Sequence, residues 1–491
     1  MLLLKSVILS LTISVFVFAN PGITYDTYFT DQALRIDYYH IGDAVNETVI
    51  LDQIYKQGIW GGTRTNLTQP IDLGHYFYNV YDKKGEILLF SWGFDTYFHE
   101  YQTTKPARDG QQRSYHESAI IPCPVDTVIF VIERRDKEHL KKTLFTIVID
   151  PGDYHINTET SATNAEILAP VMNSNPGKKV DIVILGDGYT SEQRAKFAND
   201  LNRYKDILFA IEPFSSQKSN FNIYGIFAAS PDSGVDEPTK KIYRKTTFST
   251  TFNSLDSPRY LLTEDNKTIR DYAALVPYDI ILIMINSDRY GGGGIYNSFC
   301  TFTSDGPWNE HILLHEFGHT FAGLADEYFS SDEAYEEFFP RGIEPKEPNI
   351  TALLNPDSVK WKIYLSPDIA IPTPWDKEKY EKLTTDYAEI RHKYEAKKKE
   401  LVEKNANAEK IKQAEALFRQ KQREAWDKIS NFFASHPLKG KIGAFLGAGY
   451  DSEAFYRPTI NSIMHRFSED EKTYYPVNEA AIKRVIKYYT E

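Results

Sequence analysis

The sequence predicts a multidomain α+β protein: an N-terminal antiparallel β-sandwich followed by an α/β domain that carries a helical-hairpin insertion. Residues 20–156 contain short apolar runs that are broken by turns at intervals typical of antiparallel sheets. Residues 180–491 begin with buried-type apolar strands that alternate with a helical pattern, which indicates an α/β sheet. The helix that follows these strands carries a histidine pair one turn apart, and the site predictions below depend on it.

The first segment of the chain is typical of a secretory signal. Residues 1–19 contain one basic residue, Lys5, an apolar run over residues 7–18 and a small residue, Ala19, at the expected cleavage site. About a dozen apolar residues are fewer than the ~20 that a membrane-spanning helix needs. We therefore expect cleavage after Ala19, a secreted, periplasmic or cell-surface protein, and no membrane span.

Charge and cysteine content exclude several classes of protein. The 491-residue chain has a net charge of −12 and no basic run, which argues against nucleic acid or an anionic membrane as the main partner. The cysteines, Cys123 and Cys300, fall in different predicted domains, so the fold is not a disulfide scaffold. A single bridge between them stays open at this point.

The N-terminal domain shows no catalytic constellation. Its apolar runs, such as 33–39, 127–132 and 143–149, predict strands of a sandwich. His99 and Glu100 lie between two tyrosines, and we interpret them as surface residues of a sheet. We expect this domain to serve packing, spacing or substrate docking.

A linker and a buried sheet are predicted next. Residues 157–179 are rich in Asn, Thr, Ser, Pro and Gly and predict the linker. Strands are expected at 180–185, 222–229 and 278–286. After a glycine run, residues 295–303 predict an edge strand whose open backbone groups could pair with an extended peptide; the alternative is a flexible hairpin without such a role.

The following helix carries the chemistry. In His315-Glu-Phe-Gly-His319 the two imidazoles lie one turn apart on one face, with Glu316 beside them. Two neutral histidines can hold Zn²⁺, the ion lowers the pKa of a bound water, and a carboxylate can take its proton. Asp305 or Gly306 can cap this helix, and Gly323 can end it in a left-handed turn.

A helical hairpin is predicted inside this second domain. Apolar residues at an average spacing of 3.5 over residues 376–433 predict two antiparallel helices. Their other faces are rich in lysine and glutamate, which favours a solvated insertion over a partner-binding surface.

Two motifs carry a family resemblance. Ser462-Ile-Met-His465 resembles the Met-turn of the metzincin clan, in which a methionine lies beneath the zinc ion. Residues 315–328, together with Gly186-Asp-Gly-Tyr-Thr190, Gly447-Ala-Gly-Tyr450 and Tyr456-Arg-Pro458, resemble the IgA-protease family of bacterial metallopeptidases over roughly residues 25–491.

The resemblance implies a secreted or periplasmic zinc endopeptidase with one Zn²⁺ per chain. It implies His315 and His319 as ligands, Glu316 as general base, Asp326 as the third ligand and Met464 as the floor of the site. The substrate would be a protein or peptide, including a host glycoprotein, but members of the family need not cleave immunoglobulin.

Some assignments stay open at this stage. Glu327, Glu333 and Glu336 are alternatives for the third ligand, although an extended path after Gly323 allows only one of two adjacent acids to face the ion. Four residues are candidates for stabilising the oxyanion or binding substrate: Tyr456, Arg457, His465 and Tyr474. The rival function is an extracellular glycan-binding or adhesion protein with a vestigial protease domain.

Overall fold

The computed structural model of the protein describes residues 23–68, 71–159, 164–329, 338–404, 408–467 and 472–491. The predicted signal peptide, residues 1–19, lies outside these ranges. Within them, no helix combines the length and the apolar character that a membrane crossing requires.

The N-terminal domain is β-rich, and its two antiparallel sheets share one hydrophobic core. Ile36 and Ile121 of the first sheet pack in the same core as Val80 and Phe130 of the second. The elements are α1 (Tyr25–Tyr28), β1 (Phe29–Gly42), β2 (Glu47–Lys56), β3 (Tyr76–Asp82), β4 (Leu88–Phe94), α2 (Tyr97–Gln102), α3 (Lys105–Arg108), β5 (Arg113–Pro124), β6 (Val128–Arg135) and β7 (Lys141–Ile149). The sheet orders are β2-β1-β5 and β4-β3-β6-β7.

Residues 97–102 are helical, so placing His99 and Glu100 on a sheet was wrong. The Thr96 hydroxyl accepts a hydrogen bond from the His99 backbone N–H (3.0 Å), which caps this short helix. The helix lies against the second domain, and the consequence for Glu100 is described below.

The second domain is built on a six-stranded sheet of order β12-β13-β11-β9-β10-β8. Its four inner strands are parallel to one another, and both edge strands run antiparallel to their neighbours. The elements are β8 (Glu166–Val171), β9 (Val180–Asp187), α4 (Arg194–Leu208), β10 (Phe221–Phe227), α5 (Asn266–Ala273), β11 (Ile280–Ile285), β12 (Gly292–Ile295), β13 (Phe299–Thr303) and α6 (Asn309–Ala322).

Strand β9 is apolar along most of its length because both faces of the sheet are covered. Ile182 and Ile184 pack in one core, while Val183 and Leu185 pack in the core on the other face. The predicted α/β sheet is therefore present. The predicted linker is shorter than expected, because residues 166–171 form the edge strand β8.

The other edge also differs from the prediction. Residues 295–303 do not form one edge strand; they turn back after Ile295, and the glycine run itself forms β12 at the edge. A Cβ on Gly294 would lie 2.5 Å from the Glu316 carbonyl oxygen, and one on Gly292 would lie 2.7 Å from Ile312. The glycines thus let helix α6 pack directly on the edge strand.

The remaining elements are α7 (Lys377–Glu403), α8 (Ala408–Ala434), β14 (Phe445–Ala448), β15 (Asp451–Arg457) and α9 (Tyr475–Thr490). The first two are the predicted helical pair; they pack together, and the rings of Tyr394 and Phe418 stack 4.0 Å apart. Strands β14 and β15 form a hairpin, and α9 packs against α6. Cys123 and Cys300 are both buried and free, so they do not form a bridge.

Candidate metal centre

Helix α6 ends in the way that its sequence predicts but begins differently. Gly323 is left-handed (φ 56°), and the N–H groups of Gly323 and Leu324 donate back to the carbonyls of His319 and Gly318. At the other end the N-cap is Trp308 (φ 59°) in place of Asp305 or Gly306. The turn at Gly323 directs the following residues back towards the histidines.

Hydrogen bonds orient both imidazoles. The Nδ1 atom of His315 donates to the Ile463 carbonyl (2.9 Å), and that of His319 donates to the Leu324 carbonyl (2.6 Å). In the neutral form of each ring, Nδ1 therefore carries the proton and Nε2 keeps its lone pair. The two Nε2 atoms lie 3.1 Å apart.

Asp326 completes a group of three possible ligands. Its Oδ1 atom lies 3.0 Å from His315 Nε2 and 3.3 Å from His319 Nε2. Two atoms that bind one tetrahedral ion at about 2.0–2.1 Å are about 3.3 Å apart, so the three atoms fit a single zinc ion. The other oxygen, Oδ2, accepts a hydrogen bond from the Tyr450 hydroxyl, which leaves Oδ1 for the ion.

Glu327 points away from this group. Its carboxylate accepts hydrogen bonds from Asn349 (3.1 Å), Asn478 (2.9 Å) and Ser462 (2.7 Å), and its side chain is fully buried. It therefore joins the chain after α6 to α9 and to the segment around Met464. Glu333 and Glu336, which the sequence also allows as third ligands, lie outside the described residues.

Electrostatics differ between the two carboxyl groups beside the histidines. Burial raises the pKa of Glu316 above its ordinary value. Burial also opposes ionisation of Asp326, but the adjacent His319 and His315 outweigh it and hold the pKa of Asp326 well below its ordinary value. The site thus combines an ionised carboxylate among the possible ligands with a more basic one next to them.

Met464 lies beneath the histidine helix. Its side chain is fully buried, and its sulfur would lie 2.6 Å from a Cβ on Gly318. Its carbonyl accepts a hydrogen bond from the Glu327 N–H (2.8 Å). Because the preceding carbonyl, that of Ile463, holds His315, this segment supports both sides of the possible metal site.

The structure brings one of the four oxyanion candidates into the cavity above this site. His465 lines the cavity, whereas Tyr456, Arg457 and Tyr474 do not. The guanidinium of Arg457 is buried and donates to the carbonyls of Gly447 and Ile460, and the Tyr474 hydroxyl donates to the Leu314 carbonyl. These two side chains are therefore structural.

His465 itself is buried, and its Nδ1 donates to Asn461 Oδ1 (3.0 Å). Its Nε2 is then an acceptor, so in this tautomer it does not supply a proton to an oxyanion. Sequence reasoning had missed Tyr450, although the run Gly447-Ala-Gly-Tyr450 was part of the family resemblance. That run was the available signal, but nothing in it shows that the hydroxyl reaches Asp326.

The cavity holds about 930 Å³, and three of the segments that line it come from outside the histidine helix and the Met464 segment. The N-terminal domain contributes Asp95 and Glu100, and the edge strand contributes Gly292 and Gly294. The helical hairpin forms the third wall with Tyr380, Thr384, Thr385, Tyr387, Ala388, Arg391, Gln422 and Trp426. The hairpin is therefore not only a solvated insertion, as the sequence suggested, since it borders the candidate site.

Two protein-family models match this chain. A family model described as IgA Peptidase M64 matches residues 169–486, and a model described as Peptidase M64 N-terminus matches residues 24–146. A search of curated proteins found no match.

Proposed function

Because this protein belongs to the IgA peptidase M64 family and is a metallopeptidase, we propose that it is a zinc-dependent endopeptidase that uses Glu316 as general base. The observation that carries the proposal is the convergence of His315 Nε2, His319 Nε2 and Asp326 Oδ1 within 3.3 Å of one another. The predicted family resemblance is confirmed by the two family models, and its general prediction of a metal-dependent peptide hydrolase is confirmed with it.

The donor set favours zinc as the metal of this family member. Two imidazole nitrogens and one carboxylate oxygen, with a position left for water, are typical of catalytic zinc. When bound, zinc would polarise the peptide carbonyl and lower the pKa of a water molecule. The hydrogen bonds to Ile463 and Leu324 would keep both rings in the orientation that this coordination needs.

Glu316 would move the proton. It follows His315 directly in the helix and lines the cavity, and its burial makes the carboxylate a better base than an exposed glutamate. It would accept the proton of the attacking water and pass it to the leaving nitrogen of the cleaved bond. None of the four candidates that the sequence offered is proposed to stabilise the oxyanion.

Substrate would bind as an extended peptide along β12. Leu261 N–H already donates to the Gly292 carbonyl, so the first residue of this edge is occupied. Along an antiparallel edge strand, every second residue directs its backbone N–H and C=O groups away from the sheet. After Gly292 the next such residue is Gly294, and its backbone groups would pair with a peptide. We therefore propose the glycine run as the peptide-binding edge, in place of residues 295–303.

Export is proposed from the signal pattern of residues 1–19 alone. An exported peptidase would meet extracellular proteins, among which host glycoproteins are the substrates that the resemblance suggests.

Metal analysis and peptide digestion of the full chain test the proposal. We expect about one zinc per chain and cleavage of internal peptide bonds. In Glu316→Gln, kcat/KM should fall about 10²- to 10⁴-fold with zinc retained, because the change removes a proton acceptor and no ligand. Glu310→Gln, on the same helix but outside the cavity, is the control. Absence of zinc from the wild type, or turnover of Glu316→Gln within about tenfold of it, would contradict the proposal.

A further inference from the structure

The N-terminal domain is anchored beside the end of the edge strand. The Asp95 N–H donates to the Tyr296 carbonyl (2.9 Å), and the Asn297 side chain donates to the Gly93 carbonyl (2.7 Å). Tyr296 and Asn297 form the turn that follows β12. Helix α2, which starts two residues after Asp95, is thereby held where a peptide lying along β12 would leave the strand.

Glu100 on α2 faces the same cavity as the histidines. Its Oε2 accepts a hydrogen bond from the Tyr260 hydroxyl (2.9 Å), and Tyr260 belongs to the segment that pairs with Gly292. The carboxylate is thus fixed at the junction between the two domains and the edge strand. A fixed carboxylate can recognise a ligand group without losing much further side-chain entropy.

Glu100 has no cationic partner among the residues that the structure describes, since none of the ion pairs within 4.0 Å involves it. The neighbouring Asp95, in contrast, pairs with His75 (2.8 Å). Burial raises the pKa of Glu100 to about 7, although the hydrogen bond from Tyr260 and the charges of His319 and His75 oppose this rise. A cation that entered the cavity here would remove this cost.

We infer that Glu100 is a specificity-determining residue that binds the lysine or arginine side chain of a protein substrate close to the cleaved bond. The inference rests on the proposed endopeptidase function and adds a substrate class to it. It also assigns a role to the N-terminal domain, which supplies one wall of the substrate cleft. A charge-assisted hydrogen bond of this kind changes selectivity by about 10- to 100-fold.

The experiment uses the zinc-loaded full chain and one peptide series. A lysine is moved through the positions around the cleaved bond, and each lysine peptide is compared with its norleucine counterpart, which has a similar length and no charge. We expect kcat/KM to favour lysine by about 10- to 100-fold at one position in the wild type. In Glu100→Gln this ratio should fall to about one.

Two further variants sharpen the test. Glu86→Gln, at an exposed turn of the same domain, should keep the wild-type ratio. Glu100→Lys should instead favour a glutamate peptide over its glutamine counterpart. A ratio near one at every position in the wild type, or an unchanged ratio in Glu100→Gln, would overturn the inference.

Peptide affinities test this inference independently of the proposed function, because they do not require cleavage. Calorimetric affinities of the same peptides are measured in the Glu316→Gln background with and without Glu100→Gln. If no peptide is cleaved by the wild type, the endopeptidase proposal fails, but a lysine preference in affinity that disappears with Glu100 still supports the subsite. Equal affinities for the lysine and norleucine peptides would reject the subsite.

Discussion

Among the residues that the structure describes, two clusters of histidine and carboxylate side chains have the atom spacing of a metal site, but their surroundings differ. One consists of His315, His319 and Asp326 in the cavity, and the other of Asp37, Asp52 and His116 near the domain boundary. In each cluster, the possible ligand atoms lie within 4.8 Å of one another. Spacing alone therefore does not distinguish them.

Hydrogen bonds to the far side of each histidine make the difference. In the first cluster both Nδ1 atoms donate to backbone carbonyls, which leaves Nε2 free for an ion. In the second cluster the Asn266 amide nitrogen donates to His116 Nδ1 (3.1 Å), so the proton of a neutral ring lies on Nε2. That Nε2–H points between Asp37 and Asp52, at 3.6 and 3.4 Å.

Charge also separates the clusters. Asp37 is fully buried and already pairs with the buried Arg35 (2.9 Å), and it accepts a hydrogen bond from Ser118 (2.5 Å). Asp326 instead faces the two imidazoles that could share an ion with it, and a tyrosine hydroxyl. We conclude that the second cluster stabilises the fold and that only the first is suited to a metal, because the groups behind the ligands set their protonation and charge.

The largest expected effect is on metal content. His319→Ala should lose zinc and peptidase activity, whereas His116→Ala should keep about one zinc per chain and activity close to the wild type. Elemental analysis after dialysis, together with digestion of one peptide, checks both variants. Equal zinc loss in the two variants would contradict the conclusion that the second cluster does not bind the metal.

Two adjacent acids provide the next test. Asp326→Ala should weaken zinc binding by at least about 100-fold, because it removes a ligand atom. Glu327→Gln should keep zinc but lower thermal stability, because its new NH₂ group faces hydrogen-bond donors. Zinc titration of both variants in one buffer shows which acid is the ligand. Retained zinc in Asp326→Ala and lost zinc in Glu327→Gln would make Glu327 the ligand.

We expect the second cluster to contribute to the free energy of unfolding and not to metal binding. Among the described residues, Asp37→Asn leaves the buried Arg35 with one carboxylate partner, the partly exposed Asp271, so the free energy of unfolding should fall by about 3 kcal/mol. The exposed Asp52→Asn should change it by less than about 0.5 kcal/mol. Urea denaturation and zinc analysis measure both properties; a loss of zinc in Asp37→Asn would contradict this assignment.

The smallest effect concerns Tyr450. Tyr450→Phe removes the hydrogen bond that orients Asp326, so zinc affinity should weaken by about 10- to 100-fold. Tyr474→Phe is the matched control, because the Tyr474 hydroxyl donates to a backbone carbonyl in the core. This control variant should leave zinc affinity unchanged. Competition with a zinc chelator measures both; similar affinities in the two variants would show that Tyr450 does not position Asp326.

The sequence by itself determined the elements whose contacts are local. The histidine pair follows from helical spacing, and the turn at Gly323 follows from the conformational freedom of glycine. The apolar runs likewise predicted an N-terminal β-rich domain, a buried α/β sheet and two long helices. These features depend on residues a few positions apart, so their pattern is visible in the chain.

Only the tertiary structure decided which distant residues complete the site. Tyr450 reaches Asp326 across 124 positions of the chain, and Glu100 meets Tyr260 across 160. The glycine run became the edge strand because helix α6 packs against it, and a segment predicted as linker became a strand because β10 offered a free edge. The second metal-like cluster shows the same limit: a histidine and two acids define a ligand site only when their packing leaves the lone pairs unprotonated and the charges unpaired.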